Sequence, residues 1–262
     1  MHRRILSARA AALATIVVVA LAACAKGFQV ARFQGRNEDL YRAGLREYQR
    51  GEWDNAVAAF ERLTLDLPAR DTLLPRSFYY LGRAQARRKE WLVAAQTFNR
   101  LAETFPTDTL ADDALWEAGR AYERLWRKPV LDPANGAQAQ SAFRTLLALY
   151  PDSPLRPAAE AEVAKINNWM ATKDFENGQH YLRRKAYDSA IIYFKDVIRN
   201  YPDTPRVRDA YLALVRAYRA IRYTEDANEA CSALRSAYPN DREVSETCGA
   251  APAQPSAART PS

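Results

Sequence analysis

The sequence predicts an all-α protein made of about five consecutive helix pairs. Three observations lead to this prediction: a helix-favouring composition, a proline that recurs along the chain, and small and aromatic residues at fixed distances before each proline. Apolar residues make up 48% of the 262 residues, which is enough for a buried core, and nine glycines are few for an all-β or nucleotide-binding protein.

The recurring prolines mark the end of each second helix. They are Pro68, Pro106, Pro151, Pro202 and Pro239. Twelve residues before each proline lies an alanine: Ala56, Ala94, Ala139, Ala190 and Ala227. Eight residues before it lies Phe60, Phe98, Phe143, Phe194 or, in the last copy, Cys231. A glycine precedes the alanine by twelve residues in three copies (Gly44, Gly82 and Gly178), and Gly119 holds that place in the third copy, before an insertion.

This spacing matches the tetratricopeptide repeat, a helix pair of about 34 residues, and so predicts a superhelix of such pairs. Glycine and alanine let the two helices of a pair cross closely, and proline cannot continue the second helix. We expect the aromatic residue to fill the gap to the next pair. The predicted pairs are residues 37–70, 75–108, 112–153, 171–204 and 208–241.

Two stretches depart from the regular spacing. Residues 126–136 contain prolines and asparagine and predict a loop inserted in the third pair. Residues 155–170 read as helix and are expected to extend the next helix to about 157–184. The predicted regions are therefore helix pairs one to three at 37–153, the long helix with pairs four and five and a short terminal helix at 154–248, and a disordered Pro/Ala/Ser-rich tail at 249–262.

The N-terminus predicts export and lipid attachment. Residues 1–9 carry three arginines and no acid, and residues 10–23 are uncharged and too short to span a membrane comfortably. The sequence Leu21-Ala22-Ala23-Cys24 resembles the bacterial lipobox, in which the cysteine is acylated and becomes the new N-terminus. Residues 1–23 are then a cleaved signal peptide and residues 24–36 a lipidated tether. Ala25 favours sorting to the outer membrane. An ordinary signal peptide that happens to precede a cysteine is the alternative.

With these features in place, the chain resembles the BamD family of outer-membrane assembly lipoproteins. Residues 132–133 and 139–154, and residues 186–218 with the turn at 201–204, carry the resemblance, which extends over residues 33–240. It implies an acylated scaffold on the periplasmic face of the outer membrane that docks on the periplasmic domains of a β-barrel insertase. It also implies contact with other assembly lipoproteins and with unfolded outer-membrane proteins. The alternative is a general periplasmic adaptor, such as a cell-division coordinator or a pilus or secretion pilotin.

No catalytic motif is apparent in the sequence. It has neither a nucleophile elbow, a phosphate-binding glycine loop nor a metalloprotease motif, and its two histidines are His2 and His180. We therefore expect no enzymatic activity, no cofactor and no metal site. The net charge is +7, and it falls to about +4 when Arg3, Arg4 and Arg9 leave with the signal peptide, which does not predict nucleic-acid binding.

Cys231 and Cys248 are a candidate disulfide. An exported protein meets an oxidising compartment, where paired thiols usually oxidise. A bridge would fasten a short helix at about 241–248 and contribute about 3 kcal/mol for a loop of this size. The alternative is one buried and one exposed free thiol.

The first helices of the pairs also carry a candidate peptide groove. Three residues before each glycine position lies an aromatic residue, and an arginine follows the glycine in two pairs; the set is Tyr41, Tyr79, Arg83, Trp116, Arg120 and Phe175. Arginine can hold a terminal carboxylate with two hydrogen bonds, and the rings can pack on aromatic side chains. Alternatively, the rings pack between neighbouring helices and the arginines are solvated.

Overall fold

The computed structural model describes residues 28–126 and 132–249, and every regular element in them is helical. The prediction of an all-α fold is therefore confirmed for this part of the chain. A 3-10 segment at Val30–Phe33 is followed by α1 (Asn37–Arg50), α2 (Trp53–Asp66), α3 (Leu73–Arg87), α4 (Trp91–Thr104), α5 (Ala111–Leu125), α6 (Ala134–Leu149), α7 (Arg156–Arg183), α8 (Tyr187–Asn200), α9 (Arg206–Ala220), α10 (Thr224–Ala237) and α11 (Arg242–Cys248). The predicted signal peptide, Cys24 and residues 250–262 of the predicted tail lie outside the described residues.

The chain divides into two compact units, one ending at Ala114 and the other beginning at Leu115, inside α5. In the first unit α1 packs on α2, α2 on α3 and α3 on α4, and α1 also contacts α3. In the second unit each helix from α6 to α11 packs on the next, and α7 also contacts α9. Contacts with the next helix and with the next but one are what stacked helix pairs make, as in tetratricopeptide repeats.

The two helices of a pair meet where a phenylalanine ring covers a glycine. A Cβ atom added to Gly82, Gly119 or Gly178 would lie 2.8, 2.5 or 2.6 Å from the ring of Phe98, Phe143 or Phe194 respectively. The corresponding distance from Gly44 to Phe60 is 3.1 Å. All four rings are fully buried. The expectation that these rings fill the gap to the next pair is incomplete: each covers the glycine of its own pair, and Phe60 in addition stacks on Tyr80 of α3.

The fifth pair has different residues at the point where its two helices cross. Val215 stands where the other pairs have glycine, and Cys231 stands where they have phenylalanine. Both side chains are buried, at 0% and 2% exposure. A larger residue on the first helix is thus matched by a smaller one on the second, because the interior has a fixed volume to fill.

The turns between helices repeat as regularly as the core. Within four pairs, the first helix is followed by a residue with positive φ: Gly51, Lys89, Lys185 and Arg222. Between pairs, the turn after the proline presents a side chain that accepts a hydrogen bond from the start of the next helix. Asp71, Asp108, Ser153 and Asp241 accept from the backbone N–H of Leu73, Leu110, Leu155 and Val244 respectively. These bonds satisfy donors that a helix start leaves open.

The insertion differs from the loop predicted at 126–136. Its last three residues belong to α6, which begins at Ala134, where Asp132 accepts a hydrogen bond from the Ala134 N–H. Its first residue, Trp126, is 2% exposed, and its ring lies against the Cα of Gly136. A proline near the start of a helix needs no amide hydrogen bond, so Pro133 does not prevent α6 from starting here. Residues 127–131 lie outside the described part of the chain.

We predict that Gly178→Ala destabilises the protein by up to about 2 kcal/mol. Overpacking against Phe194 costs about 1–3 kcal/mol, which outweighs about 1 kcal/mol gained from the better helix propensity of alanine. Chemical denaturation measures the difference. Gly44→Ala is the matched control and should cost less, because its Cβ would meet Ala59 at 3.0 Å and Phe60 at 3.1 Å, and the gain in helix propensity offsets this milder crowding. Phe194→Leu should restore part of the stability lost in Gly178→Ala. Equal effects of the two glycine substitutions would contradict this account.

Candidate functional site

In the first unit the predicted aromatic residues lie against the core phenylalanines of their own pairs. Tyr41 is 9% exposed and meets Phe60 edge to face, with ring centroids 5.9 Å apart. Tyr79 meets Phe98 in the same way at 6.0 Å and remains partly exposed. Tyr41 is therefore a core residue, whereas Tyr79 has one side on the core and one on the surface.

Arg83 lies on a platform of tyrosine rings. Its guanidinium carbon is 5.6 Å from the centroid of Tyr79 and 5.7 Å from that of Tyr48. The nearby positive charge of Arg83 acts to lower the pKa of Asp113, although burial and Asp112 raise that pKa overall. A guanidinium stacked on aromatic rings is held in a fixed orientation, which favours planar hydrogen-bonding partners such as carboxylates.

In the second unit Trp116 and Phe175 repeat this arrangement. Trp116 lies 5.3 Å from Phe143 and Phe175 lies 5.7 Å from Phe194, between ring centroids, and both are partly exposed. Arg206 of α9 lies over the Phe175 ring at 5.4 Å. The rings thus pack on the second helix of their own pair. Phe175 also meets Arg206 on the first helix of the next pair, and Tyr41 meets Tyr80 in the same way, as the alternative interpretation expects.

Arg120 is part of a charge network between α5 and α7. Its Nη1 atom lies 2.9 Å from Oε1 of Glu162 and 3.5 Å from Oε2 of Glu123. Lys165 Nζ is 2.8 Å from Oε1 of Glu123 and also pairs with Glu162. Because Arg120 already faces two carboxylates, an incoming peptide carboxylate would have to compete with them.

The pKa values of the two carboxylates in this network, Glu123 and Glu162, are shifted in opposite directions. Burial raises the pKa of Glu123, and the Lys165 ammonium only partly offsets this. Burial also acts to raise the pKa of Glu162, but Lys165 and Arg120 together lower it below its ordinary value. The network joins two helices across the insertion, and it was missed by sequence reasoning because its members come from residues 42 positions apart.

A second cluster fastens α11 to the fifth pair. Cys231 and Cys248 form a disulfide with an S–S distance of 2.00 Å. Arg208 makes two hydrogen bonds to Asp241, at 2.6 and 2.9 Å, and a third to Glu243 at 3.0 Å. The same Asp241 caps α11. The Arg208 guanidinium holds the pKa of Asp241 at about 2.

Three further arginines reach the same short helix. Arg216 pairs with Glu243 at 2.9 Å, Arg219 donates to the carbonyl of Thr247 at 2.7 Å, and Arg235 donates to the carbonyl of Cys248 at 2.8 Å. Carbonyl groups at the end of a helix attract cations. These arginines therefore help to hold α11 on the fifth pair. The spacing of the two cysteines did not predict these contacts.

Other kinds of site were sought in the same residues. Within residues 28–126 and 132–249, no three His, Cys, Asp or Glu side chains are grouped so that they could hold a metal ion. None of the helices described is both long and apolar enough to cross a membrane. His180 is exposed and lies edge to face with Tyr181.

Stacked helix pairs with partly exposed aromatic and arginine side chains define a tetratricopeptide-type repeat scaffold, a class of protein that binds other polypeptides. Residues 34–234 match the family model YfiO, described as an outer membrane lipoprotein, and the chain belongs to that family.

Named relatives agree with this assignment. The chain is 27% identical over 205 residues to the outer membrane protein assembly factor BamD of Caulobacter vibrioides, covering 78% of this chain and 67% of that protein. It is 26% identical over 198 residues to BamD of Vibrio cholerae, covering 71% and 81%. Among solved structures, the TPR2AB-domain:pHSP90 complex of yeast Sti1 aligns with a TM-score of 0.38 at 15% identity, covering 82% of each chain.

We predict that Asp241 titrates near pH 2 in the folded protein and that Arg208→Gln moves its pKa up towards 3.8. Because the folded pKa lies below the unfolded one, the stabilisation of α11 is complete above about pH 4 and is lost as the pH falls through 2. Carboxyl NMR measures the titration. Arg242→Gln is the matched control, since Arg242 pairs with Glu246 and not with Asp241. An unchanged pKa of Asp241 in the Arg208→Gln variant would contradict the role given to the Arg208–Asp241 pair.

Proposed function

We propose that this chain is an outer-membrane protein assembly factor that works as a non-catalytic scaffold in a β-barrel assembly complex. The observation that carries the proposal is the family match over residues 34–234. The match extends from the first helix pair into the fifth, so it does not depend on one repeat alone. The names of the relatives support it, because the proteins similar to this chain over most of its length are assembly factors. The general periplasmic adaptor is not favoured by these similarities.

The scaffold is held at the outer membrane by its N-terminus. Signal cleavage before Cys24 and acylation of its sulfur and new amino group, with palmitate among the acyl chains, attach it to the periplasmic face. Support comes from the lipobox-like sequence and from the family, whose members are described as outer membrane lipoproteins. Several acyl chains give a durable anchor, whereas a single chain binds reversibly.

The partners are the periplasmic domains of the insertase, other assembly lipoproteins and unfolded outer-membrane proteins. Repeat scaffolds present extended surfaces on rigid helices, which suits several simultaneous protein contacts. We propose no nucleic-acid partner: the net charge is modest once the signal peptide is removed, and Arg208, Arg216 and Arg219 are engaged with α11.

The test is affinity purification of the tagged lipoprotein from gently solubilised envelopes, followed by mass spectrometry. We expect near-stoichiometric recovery of a large outer-membrane barrel with repeated periplasmic domains. Cys24→Ser is the matched control, and it should lose acylation and recover much less of the barrel. Recovery of division, pilus or secretion proteins without that barrel would overturn the proposal in favour of the adaptor.

Within this function, the partly exposed rings of each unit, Tyr79 in the first and Trp116 and Phe175 in the second, bind aromatic side chains of extended peptides. Tyr79, Trp116 and Phe175 each have one side on the core, so a bound ring could pack on them without rearrangement of the helices. Each candidate arginine lies over a candidate ring, Arg83 over Tyr79 and Arg120 over Trp116. Arg120 also faces Glu162 and Glu123, with which a peptide carboxylate would compete. We therefore propose that each of the two arginines binds a carboxylate beside the ring of its own helix.

We predict that Arg83→Gln weakens binding of a peptide ending in phenylalanine by about 10-fold or more, since a hydrogen bond to a charged group contributes about 1.5–3 kcal/mol. Fluorescence anisotropy measures the affinity. The same peptide with an amidated C-terminus should bind wild type and variant alike. Arg120→Gln is the same test of the second arginine and should also weaken binding of the free-acid peptide only. Tyr79→Ala should weaken both peptides. Equal losses for the free-acid and the amidated peptide in both arginine variants would contradict carboxylate binding by these side chains.

A further inference from the structure

The described part of the chain begins with a short segment that carries aromatic and basic side chains. Phe28 and Phe33 stack on each other, with ring centroids 6.0 Å apart. The guanidinium of Arg36 lies 5.7 Å from the centroid of Phe33, and Arg32 donates to the side chain of Gln29. The segment therefore combines a pair of rings with two exposed arginines.

The apolar side chains of this segment are only partly covered. The 3-10 turn Val30–Phe33 contacts α1 and α2, yet it contains no buried residue. Phe28, Val30 and Phe33 are each intermediate in exposure, and Ala31 is exposed. Rings held at the surface beside arginines are typical of segments that lie in a membrane interface, where one side is apolar and the other wet.

The length of the tether limits where this segment can be. Phe28 follows Cys24 by four residues, so their Cα atoms are at most about 14 Å apart even if the chain is fully extended. The headgroup layer on one side of a bilayer is roughly 5–8 Å thick. A Cys24 residue fixed at the acyl boundary by its lipid therefore keeps Phe28 within the headgroup layer or at most about 9 Å beyond it.

The charge of this stretch fits an anionic surface. Residues 25–36 contain Lys26, Arg32 and Arg36 and no acidic residue. Arg36 also lies 3.5 Å from Asp39, an exposed pair that competes only weakly for the guanidinium. Basic residues next to a lipid anchor are attracted to anionic headgroups and strengthen the attachment.

We propose that residues 28–36 are a second membrane contact, in which Phe28 and Phe33 enter the interface and Arg32 and Arg36 bind the phosphates of anionic phospholipids. This inference rests on the proposed acylation of Cys24, which brings the segment to the membrane. The lipid anchor fixes one point of the molecule, and the second contact limits how the first helix pair can tilt about that point.

The experiment places a fluorescent probe in the acylated protein, reconstituted into vesicles. With Cys24 acylated and Cys231 bonded to Cys248, Ala31→Cys introduces a thiol that can be labelled selectively with an environment-sensitive NBD group. The matched control is Gln49→Cys, which is also exposed but lies at the other end of α1, about 18 Å along the helix from Asn37. Vesicles contain phosphatidylcholine alone or with phosphatidylglycerol, and a nitroxide-headgroup lipid serves as quencher.

We expect blue-shifted emission and nitroxide quenching at position 31 but not at position 49, and a stronger shift with phosphatidylglycerol that declines at high salt. Phe28→Ser with Phe33→Ser should abolish the shift. Arg32→Gln leaves the ring pair and Arg36 in place and should reduce the dependence on phosphatidylglycerol. This second variant keeps the test valid if the double phenylalanine variant folds poorly.

The outcomes separate this inference from the proposed function. A protein that is acylated and floats with the vesicles, but has a water-like probe at position 31, overturns the second contact and leaves the lipid anchor intact. Shielding of the probe in native envelopes but not in protein-free vesicles assigns the surface to a protein partner and also overturns it. Absence of acylation, detected by mass spectrometry, overturns both.

Discussion

The close crossing of the two helices in each pair is the constraint on which the structure depends. A glycine on the first helix leaves room for the ring of a phenylalanine on the second, and the gap is too small for even one extra methyl group in three of the pairs. The buried ring and the missing side chain therefore form one packing unit. Because interiors are close-packed, this unit fixes the distance between the helices, and each pair then presents a defined surface to the next.

The candidate binding rings within each of the two units are an outward extension of the same packing. Tyr79 lies on Phe98, Trp116 on Phe143 and Phe175 on Phe194. The outer rings are therefore held by the core and need no ordering when a peptide arrives, which lowers the entropic cost of binding. The same coupling means that substitution of a core phenylalanine would disturb both folding and recognition, whereas substitution of Arg83 separates the two.

The ends of the repeat region are closed by different means. The fifth pair has neither the glycine nor the phenylalanine, and its core is closed by Val215, Cys231 and the short α11. A seven-residue helix has little stability of its own, so the disulfide and the arginines around Asp241 hold it in place. At the other end, the segment at residues 28–36 rests on α1 and α2. Repeat arrays need such closing segments because their terminal repeats lack a neighbour on one side.

The sequence by itself determined the helix pairs, since helix breakers and small residues act locally and their spacing survives in the linear pattern. It placed the long helix at about 157–184, within one residue at each end of the observed Arg156–Arg183. The tertiary structure determined the contacts between residues far apart in the sequence, which local spacing cannot encode. Helix α6 begins at Ala134, inside the expected loop, and the Trp126 ring packs on Gly136 of this helix. The tertiary structure also decided that Arg120 meets Glu162 and that Arg208 meets Asp241, since these partners lie 42 and 33 residues apart and only the stacking of helices brings their charges together.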